Sequence, residues 1–318
     1  EHLTFSSGVD SLAESGGRAL GKIIAKFKNL KNVGFQTFTK LFHAGVVPIV
    51  DYCAGVWGFN KYSSCDKVQN RALRYYYGVP ASTPILAMQG DSGWMTPKCR
   101  RYLCLFQLWN RLLMMPAERL TRKVFEFDYR QCNNNWCSDI KTLFSMFDLE
   151  NLYDSKILAP KELVLSKAET IVRQEWKDQT VLKPKLRTYV KLKQEYSTEP
   201  YADDLSVTRT ERSLLAQLRF GVLPLCIETG RWKHLALEQR ICELCNGGIE
   251  DEIHFLTVCP NFVFERTPLL EHARGFHDNF DSLDSTEKFV ILVKSCHRQV
   301  ATFISKAWLK RRSILYSA

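Results

Sequence analysis

The chain of 318 residues has no apolar run close to the roughly 20 residues that span a bilayer, so no membrane helix is expected. It has no G-x-x-x-x-G-K-S/T loop to cradle a nucleotide phosphate, no G-x-S-x-G elbow to expose a nucleophilic serine and no H-E-x-x-H pair to seat a catalytic metal. The chain has no internal repeat and no low-complexity tract. No sustained alternation of period two runs through it, and apolar residues recur instead at helical spacing. Cysteine is present, 11 in all, but scattered and odd in number, which fits reduced thiols better than a disulfide framework. Glu1-His2-Leu3-Thr4 is not a signal-peptide start, and the missing initiator Met is what a piece of a longer chain would have. The expectation is a soluble, intracellular protein.

With 45 % hydrophobic and 12 % aromatic residues the chain has ample material for a core, and its length suggests two or three domains. The net charge of +10 favours a polyanionic partner. That charge is uneven: +7 over residues 1–150, +3 over 151–200, −3 over 201–275 and +3 from 276 onward. Any nucleic acid must therefore be gripped mainly outside the acidic third segment.

Leu20, Ile23, Ile24 and Phe27 form the apolar stripe of an opening helix, with Arg18, Lys22, Lys26 and Lys28 largely off it. Further helices are predicted around 36–43, from Ser63-Ser64 to Gly78-Val79-Pro80, and after the cap signals Thr83-Pro84 and Thr96-Pro97. The helix after Thr96 buries Leu103, Phe106, Trp109 and Leu113 and leaves Lys98, Arg100, Arg101 and Arg111 elsewhere. Leu120, Val124 and Phe127 mark the next helix, ended by the polar loop 132–137, and Pro160 starts another. Residues 178–206 look like a linker. Beyond them lies a short helix with Leu214, Leu215 and Leu218 inward and Arg212 and Arg219 outward. A last helix from about Thr286 to Tyr316 closes on Lys310-Arg311-Arg312, which suits the negative end of its dipole without any partner.

Cys242-Glu243-Leu244-Cys245, then His254, then Cys259, follow the spacing C-x2-C-x8-H-x4-C. Two sulfurs on a tight turn and a His-x4-Cys pair are what a four-coordinate zinc ion needs. Asn246-Gly247-Gly248 supplies a turn and Pro260 stops the chain after the last ligand. A chance C-x2-C is unsurprising among 11 cysteines, but His254 and Cys259 at workable offsets make coincidence a poor account. Such a site has no open position and would be structural.

Tyr201-Ala202-Asp203-Asp204 matches the Tyr/Phe-x-Asp-Asp metal signature of polymerase palms, yet it lacks the apolar strands that chemistry needs on both sides. A solvated linker turn is the simpler reading. Cys99 and Cys104 face different ways on a helix and Cys132 and Cys137 have no nearby His, so all four read as structural. Basic residues interleave with aromatics at Lys67, Arg71, Arg74, Tyr75 and Tyr77, and again at Lys185, Arg187, Tyr189, Lys191 and Lys193. Cations can meet phosphates while tyrosines stack on bases, although charged helix faces are ordinarily only solvated.

Several strings together resemble one family. Arg212-Ser213-Leu214-Leu215-Ala216-Gln217-Leu218-Arg219, Glu228-Thr229-Gly230-Arg231, Arg240-Ile241-Cys242, Glu250-Asp251-Glu252-Ile253-His254-Phe255 and Cys259-Pro260 look like the C-terminal region of LINE-type, non-LTR retrotransposon reverse transcriptases. Pro48-Ile49-Val50-Asp51-Tyr52, Gly55-Val56-Trp57-Gly58, Val68-Gln69-Asn70-Arg71-Ala72 and Gly78-Val79-Pro80 are similar to the helical thumb and connector of Jockey-like elements. The resemblance covers nearly the whole chain. It implies a region that helps hold template RNA and target DNA, with Cys242, Cys245, His254 and Cys259 as ligands of a structural zinc. The palm and any endonuclease, with their catalytic carboxylates, would lie upstream of Glu1, and Tyr201-Ala202-Asp203-Asp204 sits on the wrong side of the thumb to be the palm signature.

The expected fold is mainly α: a helical thumb-like bundle and connector over residues 1–125, a helical middle and linker over 126–206, a zinc-knuckle-like unit over 207–275 and a C-terminal helix over 276–318. The expected function is non-catalytic binding of RNA and DNA, with Lys22, Lys26, Arg71, Arg74, Lys185, Arg187 and Lys191 on phosphates. The partner would be an upstream palm, continuous or docked, in a nuclear or cytoplasmic ribonucleoprotein. The alternative is a zinc-stabilised protein-interaction module using the acidic Glu250-Asp251-Glu252.

Overall fold

Helical periodicity carries through: in a computed structural model describing residues 5–30 and 32–316, the chain forms 18 α-helical segments. Among the described residues the β pairing is a single bridge, Ile241 with Ile249. The chain's opening Glu1-His2-Leu3-Thr4 lies outside the described residues.

Helix starts follow local chemistry. Thr96 accepts from the Cys99 amide with Pro97 in the first turn, as expected, whereas the helix after Thr83-Pro84 begins one residue later, at Ile85. Pro84 is itself the extended N-cap, so the Thr83 hydroxyl is buried without a partner. Capping boxes at Asn135/Ser138, Thr208/Glu211 and Asp284/Glu287 satisfy amides reciprocally. The expected last helix is two, Ser285–Ser295 and His297–Tyr316. The break falls where His297 and Arg298 turn to Asp204, a long-range tie that periodicity does not register.

The chain groups into two units that cut across its consecutive segments. One takes residues 1–26, 39–72 and 95–175, and the other 27–38, 73–94 and 176–318. In the first unit Trp109 is fully buried among Phe125, Phe144 and Tyr153, with ring centroids 5.6, 5.0 and 5.2 Å away, and its indole N–H donates to the Ile157 carbonyl at 3.1 Å. Gly16 lets the opening helix meet Val50, because a Cβ there would stand 2.3 Å from the valine methyl. One expectation fails in this unit. Arg101 is fully buried, its guanidinium 5.7 Å from the Trp57 ring and 5.6 Å from the Tyr62 ring, while Arg100 pairs with Asp51 at 2.9 Å. The helix marked by Leu120, Val124 and Phe127 is present as Leu120–Gln131; those three side chains are exposed and the helix turns Phe125 to Trp109.

The second unit is organised by Asp91, which has no solvent exposure. Arg219 donates to it through Nε at 2.8 Å and a terminal nitrogen at 3.1 Å, and the Tyr201 and Tyr189 hydroxyls donate at 2.9 and 3.0 Å. Arg219 also meets Glu199 at 2.9 Å, and Lys193 pairs with Glu199, so two anions face two cations. Burial drives the Tyr189 and Tyr201 hydroxyls well above their ordinary range. Gly90 is required here, since a Cβ would stand 2.4 Å from the Tyr189 oxygen. Arg219 therefore points inward, not outward, and so does Arg212 at 3 % exposure. Residues 178–206 include buried Thr180, Leu186, Tyr189, Leu192, Tyr201 and Ala202, so this stretch is packed core and not a solvated linker.

Arg219→Met strands a buried carboxylate and should lower the unfolding free energy by about 3–5 kcal/mol, whereas Tyr201→Phe, which removes one of four donors, should cost only about 1 kcal/mol. Urea denaturation of both variants checks this, and an Arg219→Met protein with the parent's midpoint would contradict it.

Candidate metal centre

The ligand scaffold is a hairpin followed by one wide helical turn. Around the Ile241–Ile249 bridge, the Cys242 amide donates to Gly248 O at 2.8 Å and the Glu250 amide to Arg240 O at 3.0 Å. The Asn246 amide closes the turn onto Cys242 O at 2.9 Å, with Asn246 at φ 51° and Gly248 at φ 139°, a conformation that favours glycine. The Gly247 amide donates to Cys245 Sγ at 3.3 Å, which suits a thiolate. Asp251 caps the His254 amide at 2.8 Å and opens a single π-helical turn, His254–Val258, closed by Cys259 N–H to His254 O at 2.8 Å. In an α-helix, residues five apart diverge by about 140°; the π turn brings His254 and Cys259 to one side.

The four ligand atoms of Cys242, Cys245, His254 and Cys259 all lie within 4.8 Å of one another. Cys242 Sγ is 4.0 Å from Cys259 Sγ, and Cys245 Sγ is 3.3 Å from His254 Nε2. A tetrahedron with metal–sulfur bonds of about 2.3 Å has edges of about 3.8 Å. The quartet fits a four-coordinate metal ion. Burial pushes the Cys242 thiol up to about 12, raises Cys259 and lowers His254. A neutral His254 is the form that ligates, and the thiols must release protons to a bound metal.

Outer contacts hold the scaffold in place. Fully buried Glu250 accepts two N–H bonds from Arg311 at 2.8 Å each and one from the Cys226 amide at 2.8 Å, with Oε1 3.8 Å from Cys242 Sγ. Arg266 donates to the carbonyls of Leu256 at 2.7 Å and Cys259 at 2.8 Å, and Asn261 donates to Leu244 O at 3.0 Å.

The other predicted residues fare unevenly. Lys22, Lys26, Arg71 and Lys191 are exposed, Arg71 with a 3.4 Å contact to the Gly17 carbonyl, and Arg74 is half-buried. Lys185 pairs with buried Glu228, and Arg187 pairs with buried Glu252 at 2.7 Å, so both hold carboxylates in the protein itself. Glu250 and Glu252 are fully buried, which removes the acidic face the sequence implied, and Arg311 is a buried partner and not a solvated helix-end cation. The reading of Tyr201-Ala202-Asp203-Asp204 as a solvated turn is corrected. Tyr201 and Ala202 are buried, Asp203 caps the Gln36 amide at 2.9 Å, and Asp204 accepts from His297 at 2.8 Å and Arg298 at 2.6 Å. The Asp91, Tyr189, Glu199 and Arg219 cluster is not legible in the sequence because its members are far apart along the chain; the one local hint is an arginine on the apolar side of the Arg209–Arg219 helix.

No protein-family model, curated protein or solved structure matches the chain.

Stripping the purified protein with a strong chelator should lower its melting temperature, and Cys259→Ser should melt like the stripped parent with or without added metal; equal melting of loaded and stripped parent would refute the centre. Burial raises the Asp204 carboxyl, but hydrogen bonds from Arg298, Ser206 and His297 outweigh it and hold the group well below the usual carboxylate range. A depressed folded value stabilises above the unfolded one and is lost as pH falls. Asp204→Asn should therefore lower the urea midpoint at neutral pH, with a gap that starts to narrow below about pH 3.9. A gap unchanged into acid would contradict the pairing.

Proposed function

We propose that the chain is a zinc-stabilised, non-catalytic nucleic-acid-binding region of the kind found at the C-terminal end of LINE-type reverse transcriptases, holding template RNA and target DNA. The carrying observation is the Cys242, Cys245, His254, Cys259 quartet: it gathers into four-coordinate geometry and stands within the very strings that resemble that family. Three thiolates and one imidazole, closed by four protein ligands, favour zinc in a structural role. Support for a polyanionic partner comes from the net charge of +10 and from Arg18, Lys22 and Lys26, four residues apart along one exposed face of the opening helix.

Asp203 and Asp204 are engaged with the Gln36 amide and with His297 and Arg298, which weighs against a paired-metal polymerase site built on them. The interaction-module reading loses its motive, since Glu250 and Glu252 are buried against Arg311 and Arg187. An upstream palm, continuous or docked, would supply the chemistry, in a nuclear or cytoplasmic ribonucleoprotein.

Elemental analysis should find one zinc per chain. Titration of labelled RNA between about 50 and 200 mM salt should show a steep loss of affinity. Lys22→Glu with Lys26→Glu should weaken binding and flatten the salt dependence at an unchanged melting temperature, whereas Arg187→Ala should lower the melting temperature. An RNA affinity that barely responds to salt would overturn the reading.

A further inference from the structure

Among the described residues two buried arginines of the second unit, Arg212 and Arg266, have no carboxylate within 4.0 Å, and of these Arg266 gives its N–H groups to the carbonyls of Leu256, Phe255 and Cys259. Arg212 is 3 % exposed and gives one N–H to Asn32 Oδ1 at 3.1 Å, yet its Nε has no hydrogen-bond partner. Arg219 and Arg311, buried to a similar degree, each have a carboxylate within 2.8 Å. Among the described residues no carboxylate lies within 4.0 Å of the Arg212 or Arg209 guanidinium. An unanswered buried cation is costly, and a native structure that keeps one calls for an explanation.

Arg212 lines a half-open cleft of about 270 Å³, mouth included, together with Phe27, Asn32, Tyr75, Tyr76 and Arg209. Its guanidinium lies 4.5 Å from the Tyr76 ring centre, and that of Arg209 lies 4.7 Å from the Tyr75 ring. Both arginines stand in the first turn of the Arg209–Arg219 helix, the positive end, where a cation is disfavoured and an anion is stabilised. The nearby carboxylates are turned to other work: Glu211 accepts from the Thr208 amide at 3.0 Å and its hydroxyl at 2.7 Å, and Asp203 accepts from the Gln36 amide. Asn32 is fixed as an acceptor facing Arg212, because its Nδ2 donates to Leu205 O at 3.1 Å and Val207 O at 2.9 Å. The Tyr76 hydroxyl is held by Ala202 O at 2.7 Å. The cleft thus offers two positive forks, a positive helix end and flat stacked faces in a preset arrangement.

We propose that this cleft seats one phosphodiester of a single-stranded nucleic acid between Arg209 and Arg212, with the adjoining base against the Arg209–Tyr75 stack. The inference rests on the nucleic-acid reading above and adds where a strand is held. Forked guanidiniums match phosphate oxygens, and stacked tyrosine and guanidinium planes take an unpaired base but not one inside a duplex.

Fluorescence anisotropy with the full chain and a labelled uridine strand of about ten nucleotides tests it. Arg209→Ala, at a half-exposed position, should keep the parent's melting temperature, weaken binding about tenfold and reduce the salt slope by about 0.7. Arg209→Lys should recover the slope but not the full affinity, which a purely structural arginine would not do. Parent binding with both Arg209→Ala and Arg212→Gln within about twofold of it would overturn the cleft and leave the nucleic-acid reading standing. A parent chain that holds neither this strand nor longer RNA would overturn both. Uridine monophosphate competing as well as the strand would also overturn the proposal, by making the cleft a mononucleotide pocket.

Discussion

A carboxylate removed from water must find its counter-charge inside the protein, and the second unit is arranged around that demand. Asp91 ends the Ile85–Ser92 helix and meets Arg219 at the end of the Arg209–Arg219 helix, where a cation also suits the helix dipole. Tyr189, Tyr201 and Glu199 complete the cluster, so that stretches near residues 91, 189, 200 and 219 share one set of hydrogen bonds. Glu250 repeats the device with Arg311, tying the metal hairpin to the last helix, and Glu252 repeats it with Arg187. Apolar residues of equal volume can be as stable as such pairs. What an ion pair adds is discrimination, because any other packing of these segments leaves a bare charge in the interior.

That same device separates what was legible in the sequence from what was not. Helical spacing of Leu20 and Phe27, or of Phe106 and Trp109, marks a buried face directly, and the structure buries those residues. Thr96-Pro97 and Asn246-Gly247-Gly248 act through local bonds that any reading of neighbours can find. Arg101, Arg212, Arg219 and Arg311 are buried against what the sequence suggests, because polarity is visible in a sequence and a distant partner is not. Asp203 and Asp204 look like a solvated turn for the same reason, since Gln36, His297 and Arg298 lie far from them along the chain.

The metal quartet was legible because its ligands are close in sequence and their order is set by chain geometry. Two thiols on a three-residue step converge by themselves, but His254 and Cys259 do so only through the π turn, which spacing alone does not announce. Nor does spacing disclose that Glu250, between the two ligand pairs, anchors the hairpin through Arg311. The ligand hairpin is therefore tied to the His297–Tyr316 helix through Glu250 and Arg311.

The ion pairs also revise what the net charge of +10 means. Lys185, Arg187, Arg219 and Arg311 are neutralised by carboxylates of the protein, and buried Glu228, Glu250 and Glu252 no longer make the metal segment an acidic surface. Cations and anions leave the surface together, so the total is kept while its distribution changes. Exposed lysines such as Lys22, Lys26 and Lys191 are compact charges on flexible stems, able to attract a phosphate backbone but not to orient it. Arg209 and Arg212 differ in kind: each lies on a tyrosine ring at a helix start, and Arg212 is held by Asn32. In the proposed complex, attraction spread over lysines and orientation concentrated in two arginines would be separable, since salt screens the first more strongly than a half-enclosed second.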